Sequence, residues 1–319
     1  MTAETTGGRK PRIVVIGSVN MDLVARVTHL PRPGETVHGS SFATIPGGKG
    51  ANQAVAAARL GASVAMVGRV GDDAFAAVLI DSLRLGGVDT DAIARTPDCS
   101  SGIATIGVED SGENAIVVVA GANGRVTPAD VAGAESIISQ ADAVLVQLEI
   151  PLDAVAAAVA VARRRGVRVV LNPAPAPTCL PDELFEVDAI CPNETEAAAI
   201  TGLPGGGPDA AFRQSQWLVE RGARLAIVTL GSRGAVYCEP DKQPVHVQPF
   251  EVLPVDTTAA GDAFAGALTV ALSEGASAAM AVRMACAAGA LAATRPGAQP
   301  GMPSRHEVES LITTQKGMS

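Results

Sequence analysis

The residues able to do chemistry in this 319-residue chain gather at a few glycine-rich turns. The most informative stretch is Val255-Asp256-Thr257-Thr258-Ala259-Ala260-Gly261-Asp262-Ala263-Phe264, where three small residues lead into a strong helical pattern. The first amides of a helix lack partners within it, and together with the helix dipole they form a site for anions. On this reading Ala259, Ala260 and Gly261 present free N–H groups, an anion hole. Asp262 falls in the first turn, where the dipole favours a carboxylate and keeps it ionised. With a phosphoryl group over those amides, Asp262 is placed to take the proton of an attacking hydroxyl. Phosphoryl transfer asks for little beyond alignment and charge neutralisation. The competing reading is that Asp262 only stabilises a helix start, the common role of aspartate at such a place.

A second turn, Gly47-Gly48-Lys49-Gly50-Ala51-Asn52-Gln53-Ala54, lets backbone approach a ligand closely while Lys49 and Asn52 offer hydrogen bonds to hydroxyls. An ordinary turn with a solvated Lys49 is the alternative. Asn20 and Asp22 follow the first apolar run, at the strand end where open α/β sheets hold ligands; an Asx turn is the plain alternative. In Pro192-Asn193-Glu194-Thr195-Glu196, Asn193 and Glu196 have the offset of a capping box. They equally suit phosphates and a Mg²⁺ held through water. Thr229-Leu230-Gly231-Ser232-Arg233-Gly234 reads as a turn or as a loop contacting a nucleotide. Other chemistries lose their usual support. Lys49 is followed by Gly50, so the P-loop pattern fails, and no G-x-G-x-x-G joins the first strand to a helix. Neither H-E-x-x-H nor G-x-S-x-G occurs, and His29, His38, His246 and His306 are dispersed.

Elements that alternate must position these turns. Strands are expected over Arg12–Gly17, Ser63–Gly68, Ala143–Gln147, Val167–Leu171, Ala189–Cys191 and Leu225–Thr229. Helices are expected near Gly50–Leu60, Ala74–Gly86, Pro128–Ser139, Leu152–Arg165 and Glu194–Thr201. This rhythm predicts an α/β fold with a parallel sheet covered on both faces. Strand runs Ala235–Glu239 and Val245–Gln248 then precede long helices over Ala260–Ser273 and Ala278–Ala293. Asp22–Ala43 and Ser101–Val119 break the rhythm, the latter as two strands around the hairpin turn Asp110-Ser111-Gly112-Glu113. They are expected to pair as a small separate sheet, a flap over a cleft.

Composition narrows the class. Aromatics make up 3% of residues, too few for a base-stacking platform, and the net charge of −9 attracts no phosphodiester backbone; nucleic acid is excluded as a partner. Cys99, Cys179, Cys191, Cys238 and Cys286 are odd in number and unpaired in spacing, as reduced thiols are. No run reaches the roughly 18 apolar residues of a membrane span. A cytoplasmic protein is expected. Residues 1–11 are expected to be a disordered tail before a single domain over 12–315, with the flap drawn from segments near 20–45 and 101–120.

From Ile13 to Pro303 the chain resembles the ribokinase-like carbohydrate kinases. The likeness rests on Gly47–Ala54 and Asp256–Asp262, with support from Gly17–Asp22, Asn172-Pro173-Ala174-Pro175, Pro192–Glu196, Thr229–Gly234 and Gly297-Ala298-Gln299-Pro300, all in family order. The resemblance implies a three-layer α/β/α fold with a β-sheet lid that packs against its copy in a homodimer. It implies transfer from ATP to the 5-hydroxyl of D-ribose, with Asp262 as general base. Asn20, Asp22, Gly48, Lys49, Asn52 and Glu149 would hold the sugar. Asn193, Thr229, Gly231, Ser232, Gly234, Gly261 and Cys286 would hold the nucleotide, and Glu196 would lie near Mg²⁺. An activating K⁺ would sit on Asp256, Thr258, Ala292, Arg295 and Gly297. The chain departs from the family at Pro296, where Lys is common, and at Gly301, where some relatives carry Ser, which leaves one oxygen fewer for the cation. Cys286 stands where some relatives have a more polar residue. Another acceptor (2-deoxyribose, fructose or a nucleoside) and a non-catalytic sugar sensor are the competing functions.

Overall fold

The computed structural model describes residues 9–177 and 179–315. Most of the expected N-terminal tail, residues 1–8, lies outside them. In chain order the strands are β1 (Arg12–Ile16), β2 (Asn20–Val27), β3 (Gly39–Gly47), β4 (Ser63–Val70), β5 (Val88–Asp89), β6 (Ile93–Arg95), β7 (Gly102–Glu109) and β8 (Asn114–Val119). They continue with β9 (Ala143–Val146), β10 (Arg168–Leu171), β11 (Ala189–Ile190), β12 (Ala226–Thr229), β13 (Ala235–Cys238) and β14 (Val245–Val247). The helices are α1 (Lys49–Arg59), α2 (Ala74–Leu85), α3 (Pro128–Gly133), α4 (Glu135–Ile138), α5 (Leu152–Arg164) and α6 (Glu194–Thr201). After these come α7 (Pro208–Glu220), α8 (Ala260–Ser273), α9 (Ala278–Ala292), α10 (Ala298–Gly301) and α11 (Arg305–Thr314).

The apolar runs become strands buried on both faces. In β1, Ile13 and Val15 enter one core while Val14 and Ile16 enter the other, the two-residue period of extended chain. The first core is closed by α1, α2, α8, α9 and α11, the second mainly by α3, α4 and α5. A smaller cluster joins α6 and α7 to β12 and β13. Three layers result. Within the large sheet the order is β14-β13-β12-β11-β10-β9-β1-β4-β5, with β6 beside β4. The pairs from β12 through β5 are parallel, and β13 and β14 add an antiparallel edge.

Chain order reverses at β1, which lies between β4 on one side and β9 on the other. At such a reversal the loops beyond the carboxyl ends of the two neighbours part, which opens a crevice for ligands. Here those loops carry Gly17–Asp22 and Gln147–Glu149. The interrupting segments pair as expected into a separate sheet, β3-β2-β7-β8, and β7 and β8 close through Glu109 N to Glu113 O (2.8 Å).

Several elements differ from the sequence expectation. The single helix expected over Pro128–Ser139 breaks into α3 and α4 at Ala134, just after Gly133, a poor helix former. Helix α7 escaped the apolar pattern because its buried face is Ala210, Ala211, Gln214, Ser215 and Leu218, two of the five being polar. Helix α11 buries only Val308 completely, too little for a visible period; its start was nevertheless marked by the capping box of Ser304 and Glu307.

Helix α8 is buried without interruption from Asp262 to Ala271, with the small residues Ala263, Ala265, Gly266 and Ala267 between Asp262 and Leu268 broken only by Phe264. At Gly266 an added Cβ would lie 2.8 Å from Ala56 Cβ and 3.1 Å from Ala57 N, so α8 and α1 touch through their backbones. Gly266→Val is therefore expected to lower stability by about 1–3 kcal/mol, measured by thermal denaturation. A variant as stable as the parent would show that this approach does not hold α1 against α8.

Candidate active site

The site is assembled from the ends of strands and the starts of two helices. Beyond β1, the hydroxyl of Ser18 donates to Glu149 Oε2 (2.5 Å) and receives the amide of Gly50 (3.3 Å). Glu149 Oε2 also accepts the Lys49 amide at 3.1 Å, so a carboxylate caps the start of α1, where the helix dipole favours it. Gly48, with φ of 90°, makes the turn into α1; a Cβ there would lie 2.7 Å from Asn20 N. Asn20 is buried on β2, and its Oδ1 accepts from Asn123 Nδ2 at 2.6 Å. Its own amide group is thereby left as a donor. Asp22 lies one pleat further along the same face, packed against Gly47.

Asp262 begins α8 and is 5% exposed. Its Oδ2 accepts from Asn52 Nδ2 at 3.0 Å and its Oδ1 from Gln53 Nε2 at 2.9 Å. Ala259 takes φ of 60° at the helix cap, an uncommon conformation for a residue with a Cβ. The expected row of free amides is revised in one place. Ala260 N donates to Thr257 O at 3.2 Å, while the amides of Ala259, Gly261 and Asp262 have no hydrogen-bond partner among the described residues. A Cβ on Gly261 would meet nothing within 4 Å, so open space faces this helix start.

Four carboxylates, those of Asp22, Glu149, Glu196 and Asp262, gather with one cation, Lys49, which faces the last three, while Asp22 faces Glu149 and Asp262. Burial alone would lower the Lys49 pKa, but Asp262, Glu149 and Glu196 outweigh it and raise it, so Lys49 remains a cation. Burial pushes the Asp262 carboxyl up, against the pull of Lys49, Asn52 and Gln53. The helix dipole expected to keep Asp262 ionised is thus opposed by burial, the largest influence on this carboxyl. Asp22 is pushed up to about 7 by burial and by the negative charges of Glu149 and Asp262.

Farther along the sheet, Thr229 N donates to Pro192 O (3.0 Å) and Thr229 bridges Asn193, which brings the loops after β11 and β12 together. Asn193 and Glu196 do form the reciprocal capping box, Glu196 N to Asn193 Oδ1 at 2.9 Å and Asn193 N to Glu196 Oε2 at 2.8 Å. Glu196 nevertheless faces the cleft, since Lys49 and Asp262 both act on it. The two readings are compatible. Glycines at 231 and 234 take φ of 59° and 84° around an exposed Ser232. Cys286 lies on α9 one turn before Gly289, where a Cβ would come 3.1 Å from Ala260 O; burial pushes its thiol up to about 12.

The loop at Asp256 is tied to the start of α10. Asp256 Oδ1 accepts Thr258 N and Oδ2 accepts Gly297 N, both at 2.9 Å. Ala292 O and Arg295 O both lie 3.5 Å from where a Cβ on Gly301 would sit, so two carbonyl oxygens converge there. The Arg295 side chain itself is occupied by Glu307.

The sequence reading gave no role to Ser18, Gln53 and Asn172, although they stand in its motifs, and passed over Asn123 and Gln147. A signal existed, since Ser18, Gln147 and Asn172 each follow closely on the end of an apolar parallel strand. A cavity of about 340 Å³ lies against Asn20, Val118, Asn123 and Glu149. A wider groove of about 800 Å³ opens at the opposite, amino end of the sheet. Three of its arginines are already paired, Arg163 with Glu186, Arg221 with Asp182 and Arg224 with Asp188. Its charge is spent within the protein.

The sequence profile of the pfkB family carbohydrate kinases matches residues 10–305, and the chain belongs to that family. Within it, the chain is similar to the ribokinase of Bacillus subtilis, 43% identical over 301 residues covering 94% of this chain and 99% of the relative. It is also similar to the deoxyribokinase of Salmonella typhi, 38% identical over 302 residues covering 94% and 98%. Among solved structures, Arabidopsis thaliana ribokinase complexed with ribose and ATP superposes with a TM-score of 0.88 at 33% identity, covering 95% of this chain and 99% of that one.

The raised Asp22 pKa makes a stability prediction with a definite sign. In the unfolded chain this carboxyl ionises near pH 3.8; in the folded protein it resists ionisation until about pH 7. The fold therefore loses stability as pH rises between those values, and the whole loss is present above pH 7. Asp22→Asn is expected to raise stability more at pH 8 than at pH 5, by on the order of 1–3 kcal/mol. Denaturant unfolding at the two pH values measures it; a gain independent of pH would refute the shift.

Proposed function

We propose that this protein transfers the γ-phosphoryl group of ATP to the 5-hydroxyl of D-ribose, giving D-ribose 5-phosphate and ADP. The observation that carries this reading is the buried Asp262 carboxylate beside the unengaged amides of Gly261 and its own backbone, with open space before them. Asn20, Asp22, Gly48, Lys49, Asn52 and Glu149 surround that space and hold the sugar hydroxyls. Asp262 takes the 5-hydroxyl proton as that oxygen forms its bond to the γ-phosphorus and the bond to the ADP oxygen breaks. The free amides of the α8 start, with Ala259 beside Gly261, receive the negative charge of the transferred group. Asn193, Thr229, Gly231, Ser232 and Gly234 line the nucleotide side, with Cys286 towards the base.

Mg²⁺ bound with ATP would offset phosphate charge. Glu196 suits its hydration shell, since one carboxylate oxygen serves the helix cap and the other makes no hydrogen bond among the described residues. A K⁺ ion fits the oxygen-only donors of Asp256, Thr258, Ala292, Arg295 and Gly297, and its charge adds positive field beside the helix start. The residues present suit such a hard cation.

The test is ADP release with ribose and Mg-ATP, with and without K⁺. Asp262→Asn is expected to lower kcat by roughly 10²–10⁴, and near-full turnover in that variant would sink the assigned base. Omitting K⁺ is expected to slow the enzyme, and Gly301→Ser, which adds a hydroxyl near the converging carbonyls, to lower the K⁺ needed for half-activation. Turnover indifferent to K⁺ in both proteins would remove the cation from the scheme. Likeness to a deoxyribokinase keeps 2-deoxyribose as the second acceptor, and a panel including it separates the two by kcat/KM.

The face of the small sheet turned away from Asn20 and Asp22 carries Phe42 and Val117, 67% and 65% exposed, with Val119 also open. We infer that a second copy covers it, since exposed apolar side chains gathered on one sheet face mark an interface. Val117→Lys is expected to convert a dimer to monomer in sedimentation analysis; a wild-type monomer at micromolar concentration would contradict the pairing. No helix among the described residues is long and apolar enough to cross a membrane. The free cysteines fit a reducing cytoplasm, and recovery of the enzyme in a secreted fraction would contradict that placement.

A further inference from the structure

Behind Asp262 lies a row of buried amides that the transfer reaction as described does not use. Gln53 is wholly buried on α1. Its Nε2 donates at 2.9 Å to Asp262 Oδ1 and at 2.9 Å to Asn172 Oδ1. Its Oε1 accepts from Gln147 Nε2 at 2.6 Å. Asn172 Nδ2 in turn donates to the Cys191 carbonyl at 2.9 Å.

The polarity of this row is fixed from one end. A backbone carbonyl only accepts, so Asn172 must turn its nitrogen to Cys191 and its oxygen to Gln53. Gln53 then has to turn its nitrogen to Asn172 and Asp262, and its oxygen to Gln147. Both hydrogens of the Gln53 amide are used, one on each acceptor. At the far end Gln147 Oε1 has no partner among the described residues and lies against Gly17, where any Cβ would overlap it.

We propose that Gln53 is a positioning residue for the general base, held by Asn172 and Gln147 so that Asp262 keeps Oδ1 turned inward and receives the hydroxyl proton on Oδ2. The inference rests on the phosphotransferase reading. Gln53 itself touches neither sugar nor phosphate; it acts through Asp262. A donor removed from Oδ1 leaves the ionised form less favoured and Asn52, on Oδ2, as the remaining side-chain donor that orients the carboxyl. Lys49 from α1, Glu149 beyond β9, Asp22 from β2, Glu196 from α6 and the Cys191 thiol also face Asp262, and a change at Gln53 alters none of them.

The experiment compares wild type with Gln53→Met, close in length and apolar, and with Gln147→Met, which leaves the Gln53 donor in place but frees its other end. The Asp262 carboxyl is titrated by ¹³C NMR, its signal assigned by loss in Asp262→Asn, and kcat and ribose KM are followed from pH 5 to 9. In Gln53→Met the Asp262 titration and the acid limb of kcat are expected to move up together by about one pH unit. At the plateau kcat is expected to fall roughly 10–100-fold while ribose KM stays within about threefold. Gln147→Met is expected to move both in the same direction by less. A folded Gln53→Met with an unmoved titration overturns the proposal, as does a fall in kcat that tracks lost thermal stability with the acid limb in place. Wild type that turns over no sugar while the titration shifts as described overturns the function and leaves the amide contact standing.

Discussion

The structure depends on how one carboxylate is held where water scarcely reaches it. Asp262 is 5% exposed at the head of a helix that is buried along most of its length. An isolated buried carboxylate would take up a proton rather than bear the cost of desolvation. Two kinds of support counter that cost: the Lys49 charge and the amide donors of Asn52 and Gln53. All of them come from α1. The chemistry is therefore set by how closely α1 lies against α8.

That closeness explains the composition. Two helices can share a carboxylate through Asn52 and Gln53 only if nothing bulky stands between their axes, and Gly266 meets Ala56 and Ala57 at backbone range. Alanine and glycine line the remaining approach, as in α8 and α9. Such packing reaches native density with small side chains because the layers themselves sit close. The same economy appears at Gly47 and Gly48, where any side chain would meet Asp22 or the backbone of Asn20.

The balance of charge around Lys49 shapes the site in another way. One cation among four carboxylates leaves the last of them unsatisfied, and Asp22, turned to both Glu149 and Asp262, holds its proton to about pH 7. Carboxylates crowded in this way suit hydroxyl groups, which donate to them, and disfavour anionic acceptors. The amides at the start of α8, unengaged among the described residues, suit an anion instead.

Much of this was legible in the chain itself. The turn Asp110–Glu113 declared its hairpin, the apolar runs declared buried parallel strands, and the small residues before Asp262 declared a helix start open to an anion, because each depends on neighbours in sequence. Helix α7 was hidden because tertiary contacts let Gln214 and Ser215 occupy its inner face. The state of Asp262, the amide row through Gln53, Gln147 and Asn172, and the hold of Asn123 on Asn20 came only with the fold. Asn52 and Asp262 are 210 positions apart, Gln53 and Asn172 119. Local sequence dictates which groups stand ready at a turn. Only the packing of distant segments decides which of them meet, how dry they are, and therefore what charge they carry.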